Sequence, residues 1–370
     1  MQFIDLKSQY SRIQPGIEQA ISRVLEHGQY IMGPEIAELE ARLAEFVGSA
    51  HCICCSSGTD ALLMPLMAAK VGPGDAVFTT PFTFFASPEV VALAGATPVF
   101  ADIRPDTYNL DPSALRQAIE RVVQAGRLKP KAVIAVDLFG TCADYRELNQ
   151  IADDYSLLLI QDAAQAFGAT YRGERAPSLA PVGATSFFPA KPLGCYGDGG
   201  AVFTDDPGLC EIMRSIRIHG QGDDRYNNVR IGLNARMDTL QAAIVLEKLR
   251  IYEDEIKQRQ RVAARYFEQL AEAPVKLPCV PGECVSVFAQ FCIESDRRAE
   301  IQAALREADV PTAVYYAKPM HLLDAFADLG GRPGDFPVAE AASRRIFALP
   351  FHPYLQDAEI DRICEIIKQA

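Results

Sequence analysis

The alternation of short strand-like runs with longer helical runs between residues 34 and 160 constrains the fold more than any other feature of this sequence. Residues 34–47 repeat apolar side chains every three or four positions, as an amphipathic helix does. This order predicts an α/β fold with a mostly parallel central sheet and helices on both of its faces. The strand-like runs are CICC (52–55), AVFTT (76–80), TPVFA (97–101), AVIAV (132–136) and LLLI (157–160), and helices begin near Thr59, Ser87, Asp111 and Tyr145.

The second half of the chain predicts a smaller domain. A long helical pattern over residues 236–270 keeps apolar side chains on one face, and a proline-rich linker follows it at 273–283. We expect a large domain over residues 1–250 and a smaller α+β domain over residues 251–370, joined by the long helix, with an N-terminal helix packed on the small domain. The other strand-like runs are ATSFF (184–188), AVFT (201–204), VFAQFCI (287–293) and TAVYY (312–316), and further helices lie near 297–309, 337–347 and 357–368.

The composition argues against several classes of protein. A net charge of -12 without a basic run disfavours a nucleic-acid partner, whose phosphates basic side chains would have to bind. No apolar run reaches the roughly 18 residues that cross a bilayer, and the first residues lack the basic and apolar regions of a signal peptide. We therefore expect a cytoplasmic protein with no membrane partner and with reduced cysteines.

Cys52 and Cys55 form a C-x-x-C pattern within HCICC, but no second pair stands at metal-ligand spacing. The apolar neighbours favour a buried strand over zinc or redox chemistry, and no metal site is predicted.

Three polar sites directly follow predicted strands, which is where parallel sheets bind their ligands. In SSGTDAL (56–62), Thr59 and Asp60 open a helix whose free N–H groups suit a phosphate or carboxylate, although an ordinary helix cap looks the same. Asp162 ends a buried strand, where its carboxylate needs a cationic partner or serves as a helix cap. Lys191 lies in SFFPAKPLGCYGDGGA (186–201), whose apolar, glycine-rich setting indicates partial burial instead of an ordinary surface lysine.

These three sites match one cofactor. Burial lowers the pKa of a lysine and frees its amine as a nucleophile. An anion cradle, a carboxylate and such an amine are what pyridoxal phosphate requires for its phosphate, its pyridinium nitrogen and its aldehyde. The glycine-rich GCYGDGG does not indicate a dinucleotide, because it precedes a strand instead of joining a strand to a helix, and no Walker lysine motif is present.

The chain also resembles one protein family over nearly its whole length, the DegT/DnrJ/EryC1/StrS aminotransferases, which use pyridoxal phosphate to aminate nucleotide sugars. The resemblance implies the pyridoxal-phosphate-dependent transferase fold type I, which is aspartate aminotransferase-like. Relatives that dehydrate sugars have histidine where this chain has Lys191, so the lysine indicates amino transfer. The matching stretches are FIDLKSQY, GQYIMGPEIAELE, SSGTDAL, GATPVFADI, QDAAQAFGA, SFFPAKPLGCYGDGGA, RIHGQ, GLNARMDTLQAA and LPFHPYL.

The resemblance implies catalytic roles for two residues. Lys191 would bind the cofactor's aldehyde and then act as the acid and base of the reaction. Asp162 would pair with the pyridine nitrogen and keep it protonated, so that the ring can accept electrons.

The resemblance also implies the remaining cofactor contacts. Gln165 would hydrogen-bond the ring hydroxyl, and Phe84 would cover the ring face, although plain core packing fits a phenylalanine equally well. Asn234 would reach the phosphate from the neighbouring subunit, which makes the active unit a homodimer with shared active sites. Within one subunit the phosphate would be held by Thr59, Asp60 and Ser186.

The substrate follows from a finer similarity. The stretch around Lys191 is most similar to family members that aminate C3 of a 3-keto sugar, and most of all to those acting on UDP-2-acetamido-2-deoxy-3-keto-glucuronic acid, so we expect that sugar as the acceptor. The family resemblance implies L-glutamate as the amino donor and 2-oxoglutarate as the product. Arg236 suits an anion in the sugar pocket, either the carboxylate of a uronate or that of glutamate, or is a helix-surface arginine. Tyr315 and Tyr316 are candidates to line that pocket. A 4-keto or other sugar, and a regulatory protein that binds the cofactor without turnover, are the alternatives.

Overall fold

The computed structural model describes residues 1–224 and 226–370. The strands are β1 (His51–Cys55), β2 (Asp75–Thr79), β3 (Thr97–Phe100), β4 (Lys129–Val136), β5 (Leu158–Asp162), β6 (Thr170–Tyr171), β7 (Glu174–Arg175), β8 (Val182–Ser186), β9 (Gly200–Thr204), β10 (Cys284–Val285), β11 (Phe291–Glu294) and β12 (Ile346–Leu349). The α-helices are α1 (Leu6–His27), α2 (Pro34–Val47), α3 (Gly58–Ala68), α4 (Ala86–Leu93), α5 (Pro112–Ala125), α6 (Tyr145–Tyr155), α7 (Pro207–Arg217), α8 (Thr239–Leu270), α9 (Arg298–Glu307), α10 (Pro337–Arg345) and α11 (Asp357–Gln369).

The central sheet orders its strands β1, β9, β8, β5, β4, β2 and β3. From β8 to β3 every neighbouring pair is parallel, whereas β9 runs antiparallel to both of its neighbours. Side chains alternate between the two faces, so Val133 and Leu159 pack toward α5 and α6 while Ile134 and Ile160 pack toward α3, α4 and α7. Both faces of the sheet are therefore covered, and the predicted mostly parallel α/β sheet is confirmed.

Helix ends follow ordinary capping chemistry. Asp111 accepts hydrogen bonds from the N–H groups of Ser113 and Ala114, and Pro112 occupies the first turn of α5. The same helix ends at Gly126, whose φ of 63° lies in the left-handed region that glycine adopts without a steric penalty.

A second core lies beyond the middle of α8. Strands β11 and β12 pair antiparallel, and the ring of Tyr266 on α8 stacks on Phe291 of β11 with 4.8 Å between centroids. The strand expected at 312–316 is wrong, because Ala313 makes only a single bridge to Ala348. The chain instead turns away, and the ring of Tyr316 packs 6.0 Å from that of Phe82 in the large domain.

The long helix begins at Thr239, three residues later than predicted, and ends at Leu270 as expected. The domain boundary near residue 250 stays a prediction, because α8 runs through it without interruption. On the N-terminal side, α1 packs against α8, where Gln9 Nε2 donates to both carboxylate oxygens of Glu255 at 3.0 Å.

Cys52, Cys54 and Cys55 are buried on β1, which confirms the strand interpretation of the C-x-x-C pattern. Of the ten cysteines, nine are buried and Cys279 is exposed. In the part of the chain that the structure describes, no helix has the length and apolar character needed to cross a bilayer.

Candidate active site

The carboxyl ends of β1, β5 and β8 meet at one edge of the central sheet. Gly200, the first residue of β9, pairs with Cys55 on one side and with Ser186 on the other, so the residues that follow β1 and β8 are neighbours. Asp162 of β5 in turn pairs with Ala184 of β8. The three sites predicted from strand ends are thus brought together.

The start of α3 forms the candidate anion cradle. Ser57 caps the helix by accepting the Asp60 N–H at 3.1 Å, and the Asp60 carboxylate accepts the hydroxyls of Ser56 and Ser57. The N–H groups of Gly58 and Thr59 belong to the first turn, where no carbonyl of the helix can accept them.

Ser186 lies directly against this helix start. A Cβ atom added to Gly58 would lie 2.6 Å from Ser186 Cβ and 3.0 Å from its Oγ, so only glycine allows the approach. The structure therefore places Thr59, Asp60 and Ser186 around one cradle, at the positive end of the helix dipole, where an anion is stabilised.

Asp162 is buried and hydrogen-bonded on both oxygens. Its Oδ2 accepts Ser87 Oγ at 2.8 Å, and its Oδ1 accepts the Ala164 N–H at 3.2 Å. Burial raises the pKa of the carboxyl, while the two hydrogen bonds and the charge of Lys191 favour its ionised form. The helix-cap alternative does not hold, since Asp162 ends β5 and begins no helix.

Lys191 follows the end of β8 in a tightly closed loop. Its N–H donates to Phe188 O at 2.8 Å, and Cys195 N–H donates to Phe187 O at 2.7 Å. Burial lowers the pKa of the Lys191 ammonium, and the Asp162 carboxylate opposes that effect. The predicted partial burial is therefore confirmed, and the amine and the carboxylate interact electrostatically.

Gln165 and Phe84 take different positions in this site. Gln165 is buried, accepts the Phe139 N–H at 2.8 Å and donates from Nε2 to Tyr316 Oη at 3.1 Å. Phe84 is 57% exposed, which rules out plain core packing and leaves its ring available to cover a ligand.

The remaining predicted residues lie at the margins of the candidate site. Asn234 is exposed, and the carbonyl of the next residue, Ala235, accepts the Ser56 N–H at 3.0 Å. Arg236 is half-buried, and its Nε is buried without a hydrogen-bond partner among the described residues. The centroid of the Tyr315 ring lies 6.5 Å from that of Phe3 and 5.8 Å from that of Tyr316.

Sequence reasoning missed Ser87 and its neighbour Thr83. Both hydroxyls are buried, and they lie 3.1 Å apart. Ser87 looked like an ordinary helix start in FTFFAS, and only the fold reveals that it faces Asp162 across 75 residues of sequence.

The residues present fit pyridoxal phosphate. The Gly58 cradle has room that a Cβ would fill, the buried Asp162 carboxylate suits a cationic ring nitrogen, and Lys191 offers an amine of lowered pKa.

The chain is similar over nearly its whole length to known aminotransferases. The chain is 50% identical to the UDP-2-acetamido-2-deoxy-3-oxo-D-glucuronate aminotransferase of Pseudomonas aeruginosa over 98% of each protein. The crystal structure of a DegT DnrJ EryC1 StrS aminotransferase from Brucella abortus superposes with a TM-score of 0.98, at 49% identity, covering 100% of this chain and 99% of that one. NtdA from Bacillus subtilis with bound cofactor PMP gives a TM-score of 0.89 at 30% identity, covering 99% of this chain and 82% of that one.

These matches confirm the expected fold type. Residues 11–368 also match the sequence profile of the DegT/DnrJ/EryC1/StrS aminotransferases. The chain belongs to the DegT/DnrJ/EryC1/StrS aminotransferase family.

Proposed function

We propose that this chain is a pyridoxal-phosphate-dependent aminotransferase that moves an amino group from L-glutamate to C3 of UDP-2-acetamido-2-deoxy-3-keto-D-glucuronic acid. The observation that carries the proposal is the meeting of Lys191, Asp162 and the cradle of Gly58 and Ser186 at one edge of the sheet. The named Pseudomonas aeruginosa relative supports the choice of sugar, because half of its residues are identical to those of this chain.

Each site residue has one task in holding the cofactor. The N–H groups at the start of α3, around Thr59 and Asp60, and the Ser186 hydroxyl hold its phosphate. Asp162 pairs with the ring nitrogen, and Phe84 covers one ring face. Gln165 uses one amide proton for Tyr316, so its second proton is available for the ring hydroxyl oxygen.

When bound, pyridoxal phosphate supplies an aldehyde that takes up the amino group and a cationic ring that withdraws electrons from the reacting carbon. The lowered pKa of Lys191 increases the neutral fraction of its amine, which is the form that attacks a carbonyl carbon. With the cofactor bound, the same amine would act as the base that takes a proton from the substrate carbon and as the acid that delivers it to the cofactor's carbon. Asp162 keeps its negative charge throughout and stabilises the positive charge of the ring.

Turnover with defined acceptors tests this function. The purified protein, supplied with pyridoxal phosphate and L-glutamate, is given the 3-keto uronate, the matching 3-keto sugar without a carboxylate, and 4-keto nucleotide sugars. We expect 2-oxoglutarate and amino sugar to form fastest with the 3-keto uronate. Faster turnover of a 4-keto sugar would support the alternative acceptor, and cofactor binding without 2-oxoglutarate from any acceptor would support the regulatory alternative.

Arg236 is proposed to bind the carboxylate of the sugar. Its guanidinium is half-buried, with a buried Nε that has no partner in the described residues, and it lies two residues from Asn234. A buried donor of this kind gains most from a carboxylate, which accepts two parallel hydrogen bonds.

We expect Arg236→Gln to lower kcat/KM for the uronate by about a hundredfold, as the loss of a charge-assisted pair implies. The 3-keto sugar without a carboxylate is the matched control, because its turnover depends much less on this charge. Equal losses for both acceptors would contradict a contact with the carboxylate of the sugar and would instead fit a contact with the carboxylate of glutamate.

The active unit is proposed to be a homodimer whose sites share Asn234. Apolar side chains are exposed near this residue, which disfavours a monomer. Ile31 bridges to Asp238 beside the start of α8, so the loop before α2 and the segment of Asn234 form one surface. The exposed apolar residues on it are Tyr30, Ile31, Met32, Val229 and Ile231.

Mixing two inactive variants tests this sharing. If Asn234 acts in the partner's site, a hybrid of Lys191→Ala and Asn234→Ala subunits has one intact site and one doubly damaged site. We expect random mixing to recover about a quarter of the unmodified activity, since about half of the dimers are hybrids. No recovery, with hybrid formation verified by native mass spectrometry, would place Asn234 in its own subunit's site.

We also propose that the protein acts in the cytoplasm and makes amino sugars for surface polysaccharides such as lipopolysaccharide O-antigen. Nucleotide-linked substrates and reduced, buried cysteines both suit that compartment.

A further inference from the structure

We propose that Ser87, supported by Thr83, is a positioning residue that fixes the orientation and the charge of Asp162 toward the ring nitrogen of the cofactor. This inference rests on the proposed function of the site. It assigns a role to a hydroxyl pair on α4 and the turn before it, neither member of which is among the predicted cofactor contacts.

The hydrogen bonds have only one possible direction. Ser87 Oγ lies 2.8 Å from Asp162 Oδ2 and 3.1 Å from Thr83 Oγ1. An ionised carboxylate can only accept, so the single hydroxyl proton of Ser87 goes to Asp162. Ser87 must then accept the proton of Thr83, and the two hydroxyl dipoles align toward the carboxylate.

Burial strengthens the hydrogen bonds from Thr83 to Ser87 and from Ser87 to Asp162. Ser87 is 1% exposed and Thr83 is 0% exposed, so water does not compete for these groups. A hydrogen bond to a charged group in such surroundings is stronger than the same bond in water. With Oδ2 held by Ser87 and Oδ1 held by the Ala164 N–H, the carboxylate has little freedom to rotate.

One short segment carries both Phe84, which is proposed to cover the ring, and Ser87, which holds Asp162. The Ser87 N–H donates to Phe84 O at 3.3 Å, so the two residues share a turn at the start of α4. Phe84 points outward with 57% of its surface exposed, and Ser87 points inward to Asp162. The turn at the start of α4 thus positions both the residue proposed to cover the ring and the residue that holds the Asp162 carboxylate.

Several other charged and titratable groups interact electrostatically with Asp162. Lys191 favours the ionised carboxylate. The charge of Asp162 in turn helps to raise the pKa of Asp137, which lies just beyond the end of the neighbouring strand β4. The hydroxyls of Tyr145 and Tyr316 also interact with this charge. Against the burial that raises the pKa of Asp162, Ser87 is the strongest of the groups that lower it.

Removing the hydroxyl should therefore change how cofactor binding depends on pH. In Ser87→Ala the pKa of Asp162 rises further, so the carboxylate becomes protonated at a higher pH as the solution is acidified. We expect cofactor affinity at neutral pH to fall about tenfold, and the acidic limb of the binding profile to move to higher pH. Spectroscopic titration of the cofactor-free protein with pyridoxal phosphate from pH 5.5 to 9 measures both the affinity and the position of the acidic limb.

Two further variants separate this role from general stability. Thr83→Val removes the outer hydroxyl, and we expect a smaller shift in the same direction. Thr79→Val removes another fully buried hydroxyl, which donates to Ile134 O at 3.0 Å without contacting Asp162, and we expect it to lower thermal stability without moving the profile.

An unchanged profile in Ser87→Ala, or an equal loss of affinity at every pH, would overturn the inference while leaving the proposed function intact. Should Ser87→Ala fail to fold, an unshifted profile in Thr83→Val would overturn it as well. Failure of the unmodified protein to bind the cofactor would overturn both proposals.

Discussion

Lys191→Ala is expected to abolish the yellow colour of the cofactor-loaded protein and to lower turnover roughly a thousandfold or more, because one amine both binds the aldehyde and transfers the proton. The fold should persist, since the Lys191 side chain is only partly buried and its loop is held by backbone hydrogen bonds. Absorbance spectra, turnover with L-glutamate and the 3-keto uronate, and thermal denaturation of the cofactor-free protein measure the three effects.

Lys248 on α8 is a second buried amine that could bind the cofactor's aldehyde, and it therefore serves as the control for Lys191. It is fully buried, its Nζ lies 4.1 Å from the Tyr196 ring centroid, and burial lowers its pKa to about 8. Its lowered pKa alone would make it as good a candidate as Lys191. Borohydride reduction followed by peptide mapping should find the cofactor on the peptide of Lys191, and an adduct on Lys248 would show that the wrong lysine was chosen.

Asp162→Asn should lower turnover by about a hundredfold or more while retaining part of the cofactor affinity. The amide keeps the shape of the side chain but carries no charge, so the positive ring nitrogen loses its partner in a buried site. Measured kcat and cofactor dissociation constants should separate the two effects, with kcat reduced more than affinity.

Asp137→Asn is the matched control for this variant. Asp137 is also buried just beyond the end of a neighbouring strand, and burial raises its pKa to about 7. Its carboxylate accepts Gln161 Nε2 at 2.6 Å and Tyr145 Oη at 2.9 Å, on the face of the sheet opposite to Asp162. We expect little change in kcat from Asp137→Asn, and near-normal kcat in Asp162→Asn would remove the assigned role.

The parts of the fold that depend on local pattern could be predicted from sequence. Most strands of the central sheet contain a short apolar run, and the ligand site of a parallel sheet lies at its carboxyl edge. Asp162 and Lys191 could therefore be found from their positions at or after the ends of strands. The run at 312–316 fails for a physical reason: its aromatic side chains pack on the large domain instead of extending the small sheet.

The parts of the site that depend on tertiary contacts could not be predicted. Ser87 and Asp162 lie on separate elements, and no local pattern records that their side chains meet. The outward direction of Phe84 was equally open, because a phenylalanine next to a strand is usually buried. Gln165 was expected to face a ligand, but its contact with Tyr316 required the position of the small domain.

The burial of the cysteines allows unfolding of this protein to be measured by thiol labelling. With nine cysteines buried in the native fold and Cys279 alone exposed, a maleimide dye should attach once per native chain. A denatured chain offers all ten, so the number of labels counted by mass spectrometry measures the fraction of molecules that have opened. No engineered cysteine is needed for such an experiment.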